Sequence, residues 1–269
     1  MVKDTELRFE FGKNWGSFSE KIDDARVEIA KLSLQEMFGF KRLDGKTFLD
    51  VGCGSGIFSL AAVQLGAKVL SFDFDEASVA TTRKLKSKFS NYKDDWRVIQ
   101  GSILDKKFIN ELGNFDLVYC WGVAHHTGAM WIALSHLKTL VNANGQLCVA
   151  IYNDQGWKSR AWWILKRLYC SVPANLKNSF VVILGAINIS LVILRDLCRW
   201  DFSYIKKLRN YKESRGMSLF TDLRDWYGGF PYEFAAANIL QDFYEIDGFT
   251  LEKCKTETGI GCNEMVFRK

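Results

Sequence analysis

The sequence predicts an α/β fold in which helices cover both faces of a mostly parallel, doubly wound sheet. One observation is a short apolar stretch, residues 47–49, that runs into Asp-Val-Gly-Cys-Gly-Ser-Gly at 50–56 and then into a helical pattern. Another is the repetition of strand and helix signals up to residue 152. The last is a helical pattern at 232–246 followed by a closing pair of strand-like segments, 249–254 and 262–267, which a glycine-containing turn joins. Alternating strands and helices are typical of parallel sheets.

The composition is that of an ordinary globular chain. Its 269 residues include 48% apolar and 25% charged residues, and the net charge is +5. Seven cysteines without a C-x-x-C pair favour reduced thiols and argue against a disulfide framework or a zinc site. Without H-E-x-x-H or an Asp-rich calcium loop, we expect no metal. Residues 1–11 lack an apolar core, so we expect no signal peptide and a cytoplasmic location.

The glycine turn at 50–56 predicts a site for a nucleotide-like cofactor, because glycine lets a ligand lie directly against the backbone. A dinucleotide fingerprint fails, since Ile57 occupies the position that needs a small residue. A phosphate-binding loop also fails, because the Gly-Lys-Thr at 45–47 precedes the strand. The turn opens with Asp50 and contains no Lys or Arg. This pattern favours a cofactor with a ribose, an amine and a positive charge over a pyrophosphate.

Further strand patterns follow the turn in order. Residues 68–73 end in Asp73, which stands 21 positions after Gly52. This is close to the ~20-residue offset at which an acid meets a ribose hydroxyl in dinucleotide folds. Asp75 can cap the next helix, predicted at 76–88, which leaves Asp73 for a ligand. The remaining parallel strands are predicted at three segments: 96–100, 115–121 and 146–152, the last of them after a turn at 142–145.

Together these motifs, spread over residues 45–152, resemble class I S-adenosylmethionine (SAM)-dependent methyltransferases, notably the small-molecule enzymes of the ubiquinone-biosynthesis type. The resemblance implies a seven-stranded sheet with an antiparallel last strand, SAM as cofactor and S-adenosyl-L-homocysteine as product. Ser102 stands where the family often has an acid that contacts the adenine amino group. The implied cofactor-binding residues are Asp50, Gly52, Cys53, Gly54, Gly56, Asp73, Phe74, Ser102, Ile103, Trp121 and Gly122.

Two adjacent histidines, His125 and His126, follow the fourth predicted strand, where an open α/β sheet binds its ligands. Methyl transfer to a hydroxyl needs a base, and histidine is the commonest one. The pair is therefore a catalytic candidate, and the alternative is that it shapes the loop and caps the next helix. Trp15 is a candidate lid residue, with core packing as its alternative. The full set of acceptor-site candidates is Trp15, Tyr152, Asn153, Trp226, Tyr227 and Glu264.

The predicted organisation has four parts: an N-terminal helical lid segment at 1–44, a cofactor-binding core at 45–154, a helical insertion at 155–230 and the end of the sheet at 231–269. In the first part, the helical spacing of five apolar residues predicts a helix: Ile22, Ala25, Ile29, Leu32 and Met37. The insertion is basic, with twelve Lys and Arg against three acids over residues 155–215. It also contains an apolar run at 180–194.

Three interpretations of the apolar run stay open: a buried helix of a cap domain, an interfacial membrane helix that brings 157–200 to a lipid surface, or the wall of a pocket for a lipophilic acceptor. The function that the sequence predicts is methyl transfer to a small or lipophilic acceptor, at oxygen. The alternatives are an RNA methyltransferase, which the interrupted positive charge disfavours, and a non-catalytic SAM-binding protein. The sequence leaves the oligomeric state open.

Overall fold

A computed structural model describes Phe9, Gly12 and residues 22–92, 94–198, 219–256 and 261–269. The chain forms two compact units, with boundaries after Arg160 and after Pro231. The sheet unit holds the described residues between 10 and 160 together with those from 232 onward. The helical unit holds the described residues between 161 and 231 together with Phe9.

The sheet has seven strands in the order β3-β2-β1-β4-β5-β7-β6. Strands β1 to β5 run parallel, and β7 pairs antiparallel with both β5 and β6. The predicted fold class and its antiparallel last strand are therefore confirmed. The strand order reverses between β1 and β4, which is the usual ligand-binding position in such sheets. The strands are β1 Thr47–Val51, β2 Lys68–Asp73, β3 Trp96–Gln100, β4 Phe115–Trp121, β5 Val141–Tyr152, β6 Thr250–Lys255 and β7 Cys262–Arg268.

Nine α-helices occur in the described part of the chain. Three of them are preceded by an aspartate whose carboxylate accepts backbone N–H groups of the first turn: Asp23, Asp75 and Asp105. The predicted cap at Asp75 is thus confirmed. The helices are α1 Asp24–Phe38, α2 Ile57–Gln64, α3 Glu76–Lys88, α4 Lys106–Leu112, α5 Met130–Thr139, α6 Trp157–Ser171, α7 Ala174–Cys198, α8 Leu219–Gly228 and α9 Ala237–Glu245.

Two hydrophobic cores lie on opposite faces of the sheet, because successive strand residues point to opposite sides. Helices α4, α5 and α9 pack against one face, with Leu49 and Val149 among its buried strand residues. Helices α1, α2 and α3 pack against the other, with Phe48 and Cys148 contributed by the same two strands. The sheet is therefore covered on both sides, as a doubly wound fold requires.

The helix predicted from the apolar spacing of the N-terminal segment is present as α1, but the residues that set this spacing are mostly exposed. Val27, Ala30, Leu34 and Phe38 are the buried residues of this helix. Ile29 and Leu32 are 66% and 63% exposed, Ala25 is also exposed, and only Ile22 and Met37 pack against the core. The helix carries two apolar stripes at helical spacing, and the neighbouring elements decide which one is covered.

Two predicted boundaries also need correction. Strand β5 begins at Val141 rather than at residue 146, because the segment predicted as a turn stays in the strand with Asn144 in the left-handed region (φ 63°). The last helix begins at Ala237 rather than at residue 232. The preceding segment stays extended because the N–H groups of Glu233 and Ala235 donate to carbonyls of other elements.

The helical unit has a small aromatic core. Tyr169 is fully buried, and its ring centroid lies 6.4 Å from that of Phe9 and 5.7 Å from that of Phe180. The N–H of Phe9 donates to the carbonyl of Phe230 over 3.0 Å. Phe9 is thus held to the end of the helical unit by both its ring and its backbone.

Helix α7 is mostly exposed, which contradicts the buried-helix interpretation of the apolar run. At 25 residues it is about 37 Å long, and by length and composition alone it could cross a membrane. Its buried residues are Val181, Gly185 and Asp196. Its exposed large aliphatic residues are Leu176, Val182, Ile183, Ile187, Leu191, Leu194 and Leu197.

The two stripes of α1 can be distinguished by matched truncations. We expect Leu34→Ala to lower the free energy of unfolding by about 2–5 kcal/mol, because it opens a cavity in a packed core. Leu32→Ala removes the same atoms from an exposed position and should change it by about 0.5 kcal/mol or less. Urea unfolding of the two variants measures both values. Equal losses would mean that the observed face assignment is incorrect.

Candidate active site

The glycine turn after β1 lies directly against the loop that follows β4. Gly52 has φ 71°, and its N–H donates to the carbonyl of Phe72 over 2.8 Å. A Cβ added to Gly52 would stand 2.5 Å from Cγ2 of Val123. Any side chain at this position would therefore push the two loops apart, so both the conformation and the close approach require glycine. This contact fixes the distance between the predicted cofactor turn and the histidine loop.

Asp73 lies at the rim of this turn, at the carboxyl end of β2. One carboxylate oxygen accepts from the N–H of Gly54 over 3.0 Å, and the other accepts from the N–H of Asp75 over 2.9 Å. The N–H of Phe74 also favours the ionised carboxylate, and a carboxylate offers about four acceptor positions, so part of its capacity remains for a ligand. The side chain is partly exposed, and partial desolvation raises its pKa. A carboxylate fixed in this way fits the two adjacent hydroxyls of a ribose.

Asp50 lies beneath the turn instead of on its surface, since the residue is only 3% exposed. Its carboxylate accepts from Oγ of Ser59 over 2.5 Å. Ser59 is 2.6 Å from Oγ of Ser71, which in turn accepts from Nε1 of Trp96 over 2.7 Å. Because the indole can only donate, the order of donation runs from Trp96 through Ser71 and Ser59 to Asp50. Burial raises the pKa of Asp50 to about 7, and the nearby Asp73 adds to this effect.

The other predicted cofactor residues of the first two loops occupy different positions. Cys53 is buried, with its sulfur 3.4 Å from Oγ1 of Thr82 and its N–H bonded to Phe72. Gly56 also has a positive φ, and a Cβ there would stand 2.8 Å from Cγ2 of Thr82. Phe74 is 58% exposed beside Asp73. Of these three residues, Phe74 is the one that presents a large side chain to solvent.

The loops after β3 and β4 hold the remaining cofactor candidates. Ser102 uses its hydroxyl to accept from the N–H of Leu104. Ile103 is buried, and its carbonyl lies 2.7 Å from Nδ1 of His136. His136 thus steadies this loop from helix α5. Trp121 is 42% exposed at the end of β4, and Gly122 follows it with a positive φ.

The two histidines lie in a single 3-10 turn, Ala124–His126, and differ in exposure. His125 is 1% exposed, and its Nδ1 accepts from the N–H of Tyr152 over 3.3 Å. The neutral ring therefore carries its proton on Nε2. His126 is only partly buried. The ring of Tyr152 lies 4.0 Å from that of His125 and 5.5 Å from that of His126, so all three rings form one cluster.

The strand register places one cofactor candidate and two acceptor candidates on one face of the sheet. Ala150 of β5 pairs with Trp121 of β4 and with Glu264 of β7, and Tyr152 lies two residues further along the same strand. Side chains paired in this way point to the same side. The structure therefore brings Trp121, Tyr152 and Glu264 together with the histidine turn.

The remaining acceptor candidates are Asn153, Trp226, Tyr227 and Trp15. The side-chain oxygen of Asn153 accepts from the amide of Asn263 over 3.3 Å. Trp226 and Tyr227 belong to the helical unit, where Trp226 is exposed and Tyr227 is buried with its ring stacked 5.8 Å from that of Trp162. Trp15 lies outside the described residues. Within those residues, no group of three or more His, Cys, Asp or Glu side chains could hold a metal ion.

Sequence reasoning missed two features of the site. It did not find the hydrogen-bonded series beneath the turn, because Ser59, Ser71 and Trp96 lie on three separate elements. It also missed the contacts of Glu233, whose carboxylate accepts from the N–H of Met130 over 3.0 Å across 103 positions of sequence. Neither has a local signal, since both depend on how distant elements pack.

Comparison with known proteins agrees with this geometry. A family model described as a methyltransferase domain matches residues 23–184, and the chain belongs to that family. By family and fold it is a class I SAM-dependent methyltransferase domain, and SAM is its cofactor.

The relatives include ubiquinone biosynthesis O-methyltransferases. The chain is 35% identical to the Pseudomonas paraeruginosa protein over 111 residues, which cover 41% of this chain and 46% of the relative. It is 29% identical to the Bordetella avium protein over 171 residues, which cover 64% and 58%. The chain thus spans about half the length of these curated relatives.

Solved structures share the fold at low identity. Magnesium protoporphyrin IX methyltransferase from Synechocystis, with S-adenosylhomocysteine bound, superposes with a TM-score of 0.55 at 14% identity, covering 93% of this chain and 86% of that one. PKMT2 from Rickettsia typhi gives a TM-score of 0.57 at 17% identity, covering 88% and 52%. These likenesses concern the fold.

The buried carboxylate of Asp50 predicts a pH dependence of stability. Its pKa in the folded protein, about 7, lies above the ordinary value of 3.8, so the folded state holds this proton more tightly than the unfolded state. This contribution is complete below pH ~4 and is lost as the pH rises through 7. We expect the wild-type melting temperature to fall more between pH 5 and pH 8 than that of Asp50→Asn, without cofactor. The exposed Asp95→Asn variant serves as a control and should follow the wild type.

Proposed function

We propose that this protein transfers a methyl group from SAM to a hydroxyl oxygen of a small or lipophilic acceptor. The observation that supports it most directly is the contact between Gly52 and Val123, which holds the cofactor turn against the histidine turn. SAM supplies the methyl group when it is bound. The names of the ubiquinone biosynthesis O-methyltransferases support oxygen as the acceptor atom.

The residues of the first two loops bind and orient the cofactor in this proposal. The remaining acceptor capacity of Asp73 takes the ribose hydroxyls, and the cofactor lies along the backbone of the glycine turn. The exposed ring of Phe74 lies beside Asp73, where it can cover the adenine. Backbone groups around Ser102 and Gly122 complete the site. Asp50 supports the turn from below through Ser59 and does not touch the ligand.

The histidines take different roles. We assign His126 as the general base, because it is the more exposed ring and lies at the carboxyl edge of β4. It removes the proton from the acceptor hydroxyl as the oxygen becomes nucleophilic. His125 is buried with Nδ1 engaged by the N–H of Tyr152, so it orients the turn. The ring of Tyr152 and the side chains of Trp121 and Glu264 then border the acceptor.

Peripheral membrane contact is a second proposal, supported by the exposed aliphatic residues of α7. A single helix with so many exposed large side chains is unusual for a protein surface that only meets water. The described helices α6 and α7 carry six Lys and Arg against one acid, which suits anionic lipid. A lipid surface is also where a lipophilic acceptor would be found.

One set of variants tests the cofactor-binding role of Asp73 and the base role of His126 separately. We expect Asp73→Ala to weaken SAM binding at least tenfold in calorimetry, because the two ribose acceptors are lost. We expect His126→Ala to bind SAM normally but to lower kcat by about 10²–10⁴ with an acceptor found among phenols, hydroxy acids and isoprenoid alcohols. Product S-adenosylhomocysteine is the readout, and Asp95→Ala is the control. Unchanged binding in the first variant, or unchanged turnover in the second, would refute the corresponding role.

Membrane contact predicts that the protein floats with vesicles containing phosphatidylglycerol and stays behind with pure phosphatidylcholine. The double variant Ile187→Glu/Leu191→Glu should lose flotation, because it places charge on the exposed stripe of α7. Ile132→Glu, on an exposed position of α5, is the matched control and should float. Release of the wild type by alkaline carbonate is expected for peripheral contact, whereas resistance would indicate a spanning helix. Equal flotation of the double variant and the control would reject the assignment.

A further inference from the structure

We propose that Glu233 is a positioning residue for the reaction, which holds the histidine turn in register with the cofactor turn. The inference rests on the proposed methyl transfer. Glu233 lies in an extended segment, residues 232–236, that follows the helical unit in sequence and precedes α9. This segment contacts the histidine loop and strand β5, as well as β7.

Glu233 contacts the histidine loop on both sides. Its N–H donates to the carbonyl of His125 over 2.9 Å. Its carboxylate oxygens lie 3.2 and 3.0 Å from the N–H of Met130, and the carboxylate also accepts from the N–H of Gly128. One residue therefore bonds to the histidine turn and to the start of the helix that follows it.

The carboxylate also supplies a cap that helix α5 lacks. The residue before this helix is Ala129, which has no side-chain oxygen to accept the first N–H groups. In α3 and α4, the aspartates that precede the helices, Asp75 and Asp105, accept these N–H groups. Helix α5 instead receives a carboxylate from a residue 103 positions away. A negative charge at a helix N-terminus is also favourable for the helix dipole.

The segment that carries Glu233 is itself anchored. The N–H of Ala235 donates to the carbonyl of Tyr152 over 3.0 Å, and the amide of Asn263 donates to the carbonyl of Ala235 over 3.0 Å. The ring of Tyr232 packs 4.9 Å from that of Tyr152. The carboxylate is therefore fixed relative to β5 and β7, and it can hold the loop in one place.

Position matters here because Val123, at the start of the same loop, touches Gly52. A shift of about 1 Å between a base and its substrate can cost two orders of magnitude in rate. Burial raises the pKa of Glu233, and the two backbone N–H groups oppose that effect by favouring the ionised form. Its hydrogen bonds thus offset part of the desolvation of the carboxylate.

The test compares Glu233→Ala, Glu233→Gln and Asp105→Ala. The last variant removes the cap of α4 and is the matched control for loss of a helix cap elsewhere. Hydrogen exchange of the unliganded protein is measured for residues 122–131. We expect Glu233→Ala to raise exchange there at least tenfold and Glu233→Gln to restore most of the protection, because its amide oxygen still accepts. Asp105→Ala should leave this segment unchanged. Unchanged exchange in Glu233→Ala, or a rise spread evenly over the sheet, would overturn the inference.

Kinetics then distinguish positioning from local stability. With an acceptor that the wild type methylates, we expect Glu233→Ala to lower kcat at least tenfold, with SAM affinity by calorimetry and the KM for the acceptor both within threefold. Glu233→Gln should recover most of kcat. Faster exchange with an unchanged kcat would overturn the positioning role. Absence of turnover in the wild type would count against the proposed function and would leave the exchange result to stand separately.

Discussion

The close approach of Gly52 to Val123 is the contact on which the site depends. Gly52 follows β1 and Val123 follows β4, and these two strands are neighbours at the point where the strand order reverses. The loops that carry the two residues therefore lie side by side before they separate. Because Gly52 has no Cβ, the cofactor turn packs directly against the loop that carries the histidine turn. Other hydrogen bonds hold each of these two loops in place. Asp73 accepts from Gly54 in the cofactor turn, and Glu233 accepts at the end of the loop after β4.

Three carboxylates serve the site in different ways because their surroundings differ. Burial raises the pKa of Asp50, Asp73 and Glu233 alike. Asp50 is bonded to a hydroxyl in the interior, so it supports the turn. Asp73 accepts from backbone N–H groups at an open rim, and we propose that its remaining acceptor capacity serves a ligand. The carboxylate of Glu233 accepts hydrogen bonds from the backbone at the start of a helix. The partners of each group therefore decide its role more than its acidity does.

The two units differ in how far they bury their large aliphatic side chains. The sheet unit buries its large aliphatic residues in two cores on opposite faces of the sheet. The helical unit leaves one side of α7 in contact with solvent. Apolar surface in water is unfavourable by roughly 25 cal/mol for each Å² that a partner could cover. The lipid surface that we propose as partner matches the aliphatic side chains and the positive charge of this helix and of α6.

The sequence by itself determined the order of strands and helices, the glycine turn and the acid at its expected offset. These follow from local rules: residue periodicity, the need for glycine at a positive φ and the capping preference of Asp75. Tertiary structure decided which stripe of α1 is covered, that the run at 180–194 is exposed, and that Asp50 lies beneath the turn. It also decided that Glu233 reaches Met130. Each of these depends on which distant elements become neighbours, and a linear pattern of residue types contains no information on that packing.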